Sequence, residues 1–163
     1  MRHVLPQVAQ HARSARGLPR QVLKVMFDCE ESPCRITSGG GNMYAFALAG
    51  KAATLHPNMS FIVSGPCLSG CTIFADIARD RLCFDHNAKF GFHKGRRWDP
   101  GNEYPSWFVP PYSAGVEAWT TKVGMTEEIR VMPWSEAAKH WRPCDFHPPM
   151  PLADPRKKVV AAR

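Results

Sequence analysis

The stretch Phe61–His93 constrains the fold of this chain more than any other part of the sequence. It opens with an apolar run, Phe61–Val63, which predicts a short buried strand that stops at the turn signal Gly65–Pro66. From Leu68 onward, apolar residues recur at three- and four-residue spacing, which predicts a helix. A second strand is predicted over residues 87–93. Two strands joined through a helix form the repeating unit of a parallel sheet.

Ser69 lies where the first strand of this stretch turns into the helix. A hydroxyl at such a turn is exposed at the end of a sheet, beside the unpaired backbone amides of the helix's first turn. A nucleophilic serine also needs a base, and His93 lies at the exit of the second strand. Each residue alone is more typical of a structural role, because serine is a common helix N-cap.

A glycine-rich turn upstream strengthens the prediction that Ser69 and His93 are a nucleophile and its base. Ser38–Gly41 is a glycine-rich turn between a predicted strand, Arg35–Thr37, and a predicted helix, Asn42–Leu55. Glycines let backbone amides point into a site without a side chain in the way, which suits an oxyanion hole. The chain therefore holds, in order, amide donors, a nucleophile and a base.

In their order and spacing these residues resemble the Clp protease proteolytic subunit and, more broadly, the Clp/crotonase superfamily. The family's Ser-Pro-Gly-Gly turn is matched by Ser38–Gly41, with Gly39 in place of the proline. Its Gly-x-x-x-Ser segment is matched by Gly65–Ser69, and its strand that ends in histidine by Asn87–His93. The resemblance covers residues 34–93. Through Cys-x-Ser-x-Cys-Thr and Gly-Phe-His, it is closest to uncharacterised extracytoplasmic Clp-like bacterial proteins.

The resemblance implies an α/β fold, a spiral of ββα units with a mainly parallel sheet. The family places a strand and a helix before the glycine turn. Here Val22–Phe27 is predicted as a strand with no helix after it, so we expect a reduced first unit. A length of 163 residues with 44% hydrophobic residues fits one domain. We assign residues 22–147 to it, flanked by a basic flexible segment, 1–21, and a proline-rich basic tail, 148–163.

The resemblance also implies roles for single residues. Ser69 is the nucleophile and His93 is its base. The oxyanion donors are the amide of Gly70 and the amide of either Gly40 or Gly41. No cofactor and no metal is implied.

The acid of the family's triad falls on Ile129, which cannot hydrogen-bond a histidine. Glu128 is one residue away and is predicted to orient the histidine in its place. Glu127, Asp99 and Asp145 are alternatives. Loss of a triad acid costs about 10⁴ in rate, while the serine, the histidine and the oxyanion hole still give some catalysis.

The sequence therefore predicts a serine hydrolase, a Clp-like peptidase that acts on a peptide or protein substrate. One alternative is a catalytically inactive domain of the same fold that binds a peptide or an acyl ligand in the glycine-lined cleft. A second alternative keeps the serine but uses a lysine base, Lys51 or Lys94.

Residues 104–112 are aromatic and proline-rich, so they cannot form a regular central strand or helix. They follow the proposed base and could form a lid or a specificity wall, or a packed surface loop. In the Clp subunit this region holds the helix that locks two rings together, and here that helix looks replaced. The sequence therefore leaves the formation of a homo-oligomer undecided, and no ATPase partner is inferred.

Six cysteines in this chain permit disulfides. Cys29 and Cys34 are predicted to pair, because the residues between them read as a turn. Cys67 and Cys71 are expected to brace the turn at Ser69 through separate partners. The full set of candidates is Cys29, Cys34, Cys67, Cys71, Cys83 and Cys144.

Zinc is the competing interpretation of these cysteines, with His86, His140 and His147 as further ligands. No cysteine pair has the Cys-x-x-Cys spacing of a zinc ribbon or finger, so the sequence favours disulfides.

The net charge of +7 lies in the two ends of the chain. Between them, twelve basic residues face thirteen acidic ones, so no nucleic-acid partner is expected. No apolar run reaches the length of a membrane span, and no signal peptide is recognised in this chain. The cysteine pattern nevertheless suggests periplasmic or exported relatives, and the localisation stays unassigned.

Overall fold

A computed structural model describes residues 20–144 of the chain. The predicted tail 148–163, most of the segment 1–21, Asp145 and His147 lie outside the described residues. The helices are α1 (20–27), α2 (Met43–Thr54), α3 (Gly70–Ile77), α4 (Ala114–Val123) and α5 (Trp134–Ala137), with a 3₁₀ turn at Arg79–Arg81. The strands are β1 (Cys34–Ser38), β2 (Phe61–Leu68), β3 (Leu82–Phe84), β4 (Lys89–Phe92), β5 (Gly95–Arg97), β6 (Ser106–Phe108), β7 (Arg130–Val131) and β8 (Arg142–Pro143).

Strand β2 is the centre of a six-stranded sheet with the order β7-β4-β2-β3-β8, and β1 also pairs with β2. The pairs among β1, β2, β3, β4 and β8 are parallel, whereas β7 runs antiparallel to β4. A separate antiparallel hairpin joins β5 to β6. The predicted α/β class is thus confirmed as mixed α/β, and the expected mainly parallel sheet is corrected to a mixed one.

The turn signal Gly65–Pro66 does not end strand β2, contrary to the prediction. Ile36 of β1 pairs with Val63, and Ser38 pairs with Cys67, so β2 carries extra residues between these two pairs. Gly65 has φ +114° inside this irregularity. The glycine and proline therefore mark a bulge, after which the strand continues to Leu68 and pairs with β4.

The predicted strand Val22–Phe27 is wrong, because these residues belong to helix α1. Their apolar side chains follow helical spacing: Leu23 is fully buried, and Val22, Met26 and Phe27 pack against the core. Val25 lies on the opposite face and is 85% exposed. A short apolar run is compatible with either a strand or a helix. Here the burial of side chains three and four residues apart shows that it is a helix.

Helices α2 and α3 pack against each other beside the sheet. Helix α2 begins just after the glycine turn Ser38–Gly41, and helix α3 begins just after Ser69. The side chain of Asn42 accepts the Tyr44 and Ala45 amides and so starts α2, as the prediction of a helix there requires. Phenylalanines fill the core beneath: Phe61, Phe74, Phe84, Phe90 and Phe92 are all fully buried. Within residues 20–144, no helix is both long enough and apolar enough to cross a bilayer.

Candidate active site

Ser69 occupies a strained turn between the end of β2 and the start of α3. Its φ of 52° and ψ of −122° lie in a region that side-chain-bearing residues rarely adopt, at a cost of about 1–3 kcal/mol. Its amide donates to the carbonyl of Gly91 at 2.8 Å, and its carbonyl accepts the Thr72 amide at 2.9 Å. The backbone on both sides of Ser69 is thus held, and its hydroxyl makes no capping bond to the helix it begins.

His93 contacts the Ser69 hydroxyl. Its Nε2 atom lies 2.8 Å from Oγ of Ser69. The sheet register explains this contact, because Leu68 of β2 pairs with Gly91 of β4, and the serine and the histidine each follow shortly after that pair. Two residues that are 24 positions apart in sequence therefore lie side by side at the ends of adjacent parallel strands.

The glycine turn packs directly on the nucleophile. A Cβ on Gly40 would lie 2.6 Å from Cβ of Ser69 and 2.4 Å from the carbonyl oxygen of Leu68. The amide of Gly40 donates to Oγ of Ser38 at 3.1 Å, so this amide is already used. The other alternative predicted for the upstream donor, Gly41, lines the cleft beside Ser69.

Gly70 is the first residue of α3, where backbone amides have no partner within the helix. A Cβ on Gly70 would lie 2.6 Å from the ring of Phe46 and 3.0 Å from the carbonyl of Gly41. Gly70 and Gly41 therefore lie close to each other beside the turn that carries Ser69. Their amides are the best-placed candidates for an oxyanion hole.

The predicted contact between Glu128 and His93 is not made. Nδ1 of His93 is buried and has no hydrogen-bond partner among the described residues. Glu128 is exposed, and its backbone carbonyl accepts the Thr126 hydroxyl at 3.3 Å. The β4–β7 pairing ends at Phe92 and Arg130, and the Lys94 amide then donates to the Thr126 carbonyl at 2.8 Å. Ile129 packs over Gly91, where its Cγ2 would lie 2.7 Å from an added Cβ.

Of the alternative acids, Asp99 and Glu127 are described, and neither bonds to Nδ1 of His93. Asp99 accepts hydrogen bonds from Ser106 and Arg97 within the β5–β6 hairpin, and the Ser106 bond is the main reason that its pKa is lowered. The side chain of Glu127 lines the cleft. The lysines proposed as alternative bases, Lys51 and Lys94, are not among the described residues that line it.

The cleft at Ser69 has a volume of about 650 Å³ and a largely aromatic wall. The β5–β6 hairpin and the segment after it supply most of this wall, where the sequence predicts a lid, a specificity wall or a surface loop, and helix α2 adds Tyr44. Glu127 and the hairpin arginines Arg96 and Arg97 add charge. The aromatic residues that line the cleft are Tyr44, Trp98, Trp107, Phe108 and Tyr112.

All six cysteines pair as disulfides. Cys29 pairs with Cys34, and Cys83 pairs with Cys144. Cys67 and Cys71 pair with each other across Ser69, with their Cα atoms 5.1 Å apart, and not with separate partners as expected. A strand end followed by a helix turn brings positions four residues apart close enough for this bond.

The zinc alternative has no free thiol left, because every cysteine is oxidised in this structure. Within the range 20–144, no group of three or more histidine, cysteine, aspartate or glutamate side chains is arranged to hold a metal ion.

Thr72 and Tyr112 belong to the site and were not predicted as functional residues. The Thr72 hydroxyl lies 2.6 Å from the Ser69 carbonyl and 2.8 Å from the Tyr112 hydroxyl. A threonine three residues after a turn residue often bonds back to that residue's carbonyl, which is a usable sequence signal. Tyr112 lies 40 positions away from Thr72, and no local pattern indicates their contact.

Comparison with known proteins gives few matches. No protein-family model and no curated protein matches this chain. Among solved structures, the chain is similar to a ClpP1 mutant from Listeria monocytogenes, with a TM-score of 0.42 and 15% sequence identity. That match covers 77% of this chain and 81% of the other. The roles proposed for the site residues therefore rest on the geometry described above.

Proposed function

We propose that this protein is a serine hydrolase that cleaves peptide bonds. The single observation that carries the proposal is the 2.8 Å contact between Oγ of Ser69 and Nε2 of His93 at a strained turn. This distance lies within the range over which a base can take the proton of a nucleophile. A serine that merely capped a helix would need neither the strained backbone nor the imidazole.

The reaction that this arrangement supports has two stages. Oγ of Ser69 attacks the substrate carbonyl carbon while Nε2 of His93 takes the hydroxyl proton. The carbon–nitrogen bond then breaks, and the imidazolium returns the proton to the leaving amine. Water, deprotonated by the same imidazole, hydrolyses the ester left on the serine and releases the acid.

The amides of Gly70 and Gly41 would hold the negative oxygen that develops in each stage. Both residues line the cleft beside Ser69, and both lack a side chain that would block the approach. Gly40 has a different role, which is to allow the turn to pack against the nucleophile.

The choice of peptides as substrates has two supports. The order of motifs in the sequence resembles that of a peptidase subunit. The cleft is large enough for several side chains, and its aromatic wall offers apolar surface to a peptide.

Labelling with a fluorophosphonate probe tests the proposal. Wild-type protein should react, and Ser69→Ala should not. Ser106→Ala is a matched control, because this half-buried hairpin hydroxyl bonds to Asp99 and not to an imidazole. Equal labelling of wild type and Ser69→Ala would contradict the role of the serine.

A second candidate function is a non-catalytic domain that binds a peptide or acyl ligand in the same cleft. One observation favours it: Nδ1 of His93 has no hydrogen-bond partner among residues 20–144, so it lacks the acid contact that stabilises the imidazolium in a serine triad. If Ser69→Ala binds a fluorescent peptide as tightly as wild type, and neither protein turns it over, binding is the function.

A further inference from the structure

A chain of two hydroxyls joins the carbonyl of Ser69 to the wall of the cleft. Oγ1 of Thr72 donates to the Ser69 carbonyl at 2.6 Å and lies 2.8 Å from the hydroxyl of Tyr112. A threonine hydroxyl has one proton, and the Ser69 carbonyl receives it. Tyr112 must therefore be the donor in the second bond, so the chain runs in one direction, from tyrosine to threonine to serine.

Both members of this chain lie where a lost hydrogen bond is costly. Thr72 is fully buried, so its oxygen has no access to water if Tyr112 is removed. Burial raises the pKa of Tyr112 to about 12. The phenol therefore keeps its proton, and can donate it, throughout the pH range in which a histidine base works.

Tyr112 also contacts the residue that precedes the base. Its ring packs edge-on against Phe92 at a centroid distance of 5.4 Å, and Phe92 immediately precedes His93. The next residue, Ser113, donates its amide and its hydroxyl to the carboxylate of Asp76, at 2.7 and 2.8 Å. Residues 112–113 thus clamp helix α3 at two points that are one turn apart.

We propose that Tyr112 and Thr72 are positioning residues that hold the strained backbone of Ser69 in line with His93. The proposal rests on the function proposed above. A strained conformation persists only where its surroundings fix it, and the Ser69 carbonyl has these two hydroxyls as its link to the cleft wall. Neither residue takes a proton from the substrate.

Steady-state kinetics of single variants give the first test. Tyr112→Phe removes one hydroxyl and keeps the ring, so kcat should fall about three- to tenfold while KM changes less than about twofold. Thr72→Val should act in the same way, and Thr72→Ser should restore most of the rate. Tyr104→Phe is the matched control, because Tyr104 is 79% exposed and outside the cleft, and its rate should not change.

A double variant separates positioning from general loss of packing. Because Tyr112 acts through Thr72, the Tyr112→Phe/Thr72→Val variant should be no slower than Thr72→Val alone. Additive losses, or a loss in KM without a loss in kcat, would overturn the proposal.

Hydrogen exchange gives a readout that does not need activity. The Thr72 amide donates to the same Ser69 carbonyl, so its exchange should speed up in Tyr112→Phe and not in Tyr104→Phe. If wild type shows no labelling and no turnover, the proposed hydrolase function fails and this measurement alone decides the positioning role. Unchanged Thr72 exchange in an active or inactive protein would contradict it.

Discussion

Replacing Gly40 with alanine should damage the site more than any other single methyl group added to the glycine turn. The new Cβ would lie 2.6 Å from Cβ of Ser69, 2.4 Å from the Leu68 carbonyl oxygen and 3.1 Å from the Gly70 nitrogen. Carbon atoms in contact prefer about 3.5–4.0 Å, so the turn and the nucleophile must separate by about 1 Å. Two of these three neighbours are backbone atoms, which cannot rotate away.

The magnitude follows from two costs. Gly40 has φ +89°, and an alanine in the left-handed region costs about 1–2 kcal/mol. Overpacking adds about 1–3 kcal/mol, so the free energy of unfolding should fall by about 2–5 kcal/mol. A displacement of about 1 Å at a reacting group can cost about 10²-fold in rate, which is the loss we expect in kcat/KM.

Gly39→Ala is the matched control. A Cβ at Gly39 would meet no atom within 4 Å, and Gly39 is not among the glycines with positive φ. Thermal unfolding and the rate of fluorophosphonate labelling should both show a large loss for Gly40→Ala and little change for Gly39→Ala. If Gly40→Ala labels as fast as wild type, the glycine turn does not position the nucleophile.

Two further predictions concern the base and the disulfides. Ile129→Asp should raise kcat at least tenfold, because it adds a carboxylate just before β7, the strand that pairs with β4 up to Phe92, near a histidine whose Nδ1 has no partner among residues 20–144; an unchanged kcat would show that a carboxylate at this position does not serve the base. Replacing Cys67 and Cys71 together with alanine should lower kcat and stability, because this bond spans the nucleophile turn. Replacing Cys83 and Cys144 should lower stability with little change in kcat, and equal kcat losses in both pairs would contradict a local role for the first bond.

The strand–turn–helix at the site was predictable because its signals are local. The apolar run before Ser69, the helical spacing after it and the strand before His93 each span a few residues. The contact between serine and histidine then follows from parallel pairing of neighbouring strands. The helix α1 was missed because five apolar residues within six satisfy both periods, and only packing on the core selects the helix.

The remaining features depend on contacts between distant parts of the chain. Thr72 meets Tyr112 only because the segment after the β5–β6 hairpin folds back over α3, and no residue pattern encodes that return. The predicted partner of the base failed for a related reason. The β4–β7 pairing ends at Phe92 and Arg130, and Lys94 then bonds to Thr126, so the residue near His93 depends on a change of register that no local pattern encodes.

Mass-spectrometric mapping of the fluorophosphonate adduct tests the central claim most directly. We expect one adduct, on Ser69, in wild-type protein with its disulfides intact, and a large loss of that adduct in His93→Ala. An adduct on another residue, or equal modification of Ser69 in wild type and His93→Ala, would contradict the catalytic pair that the 2.8 Å contact defines.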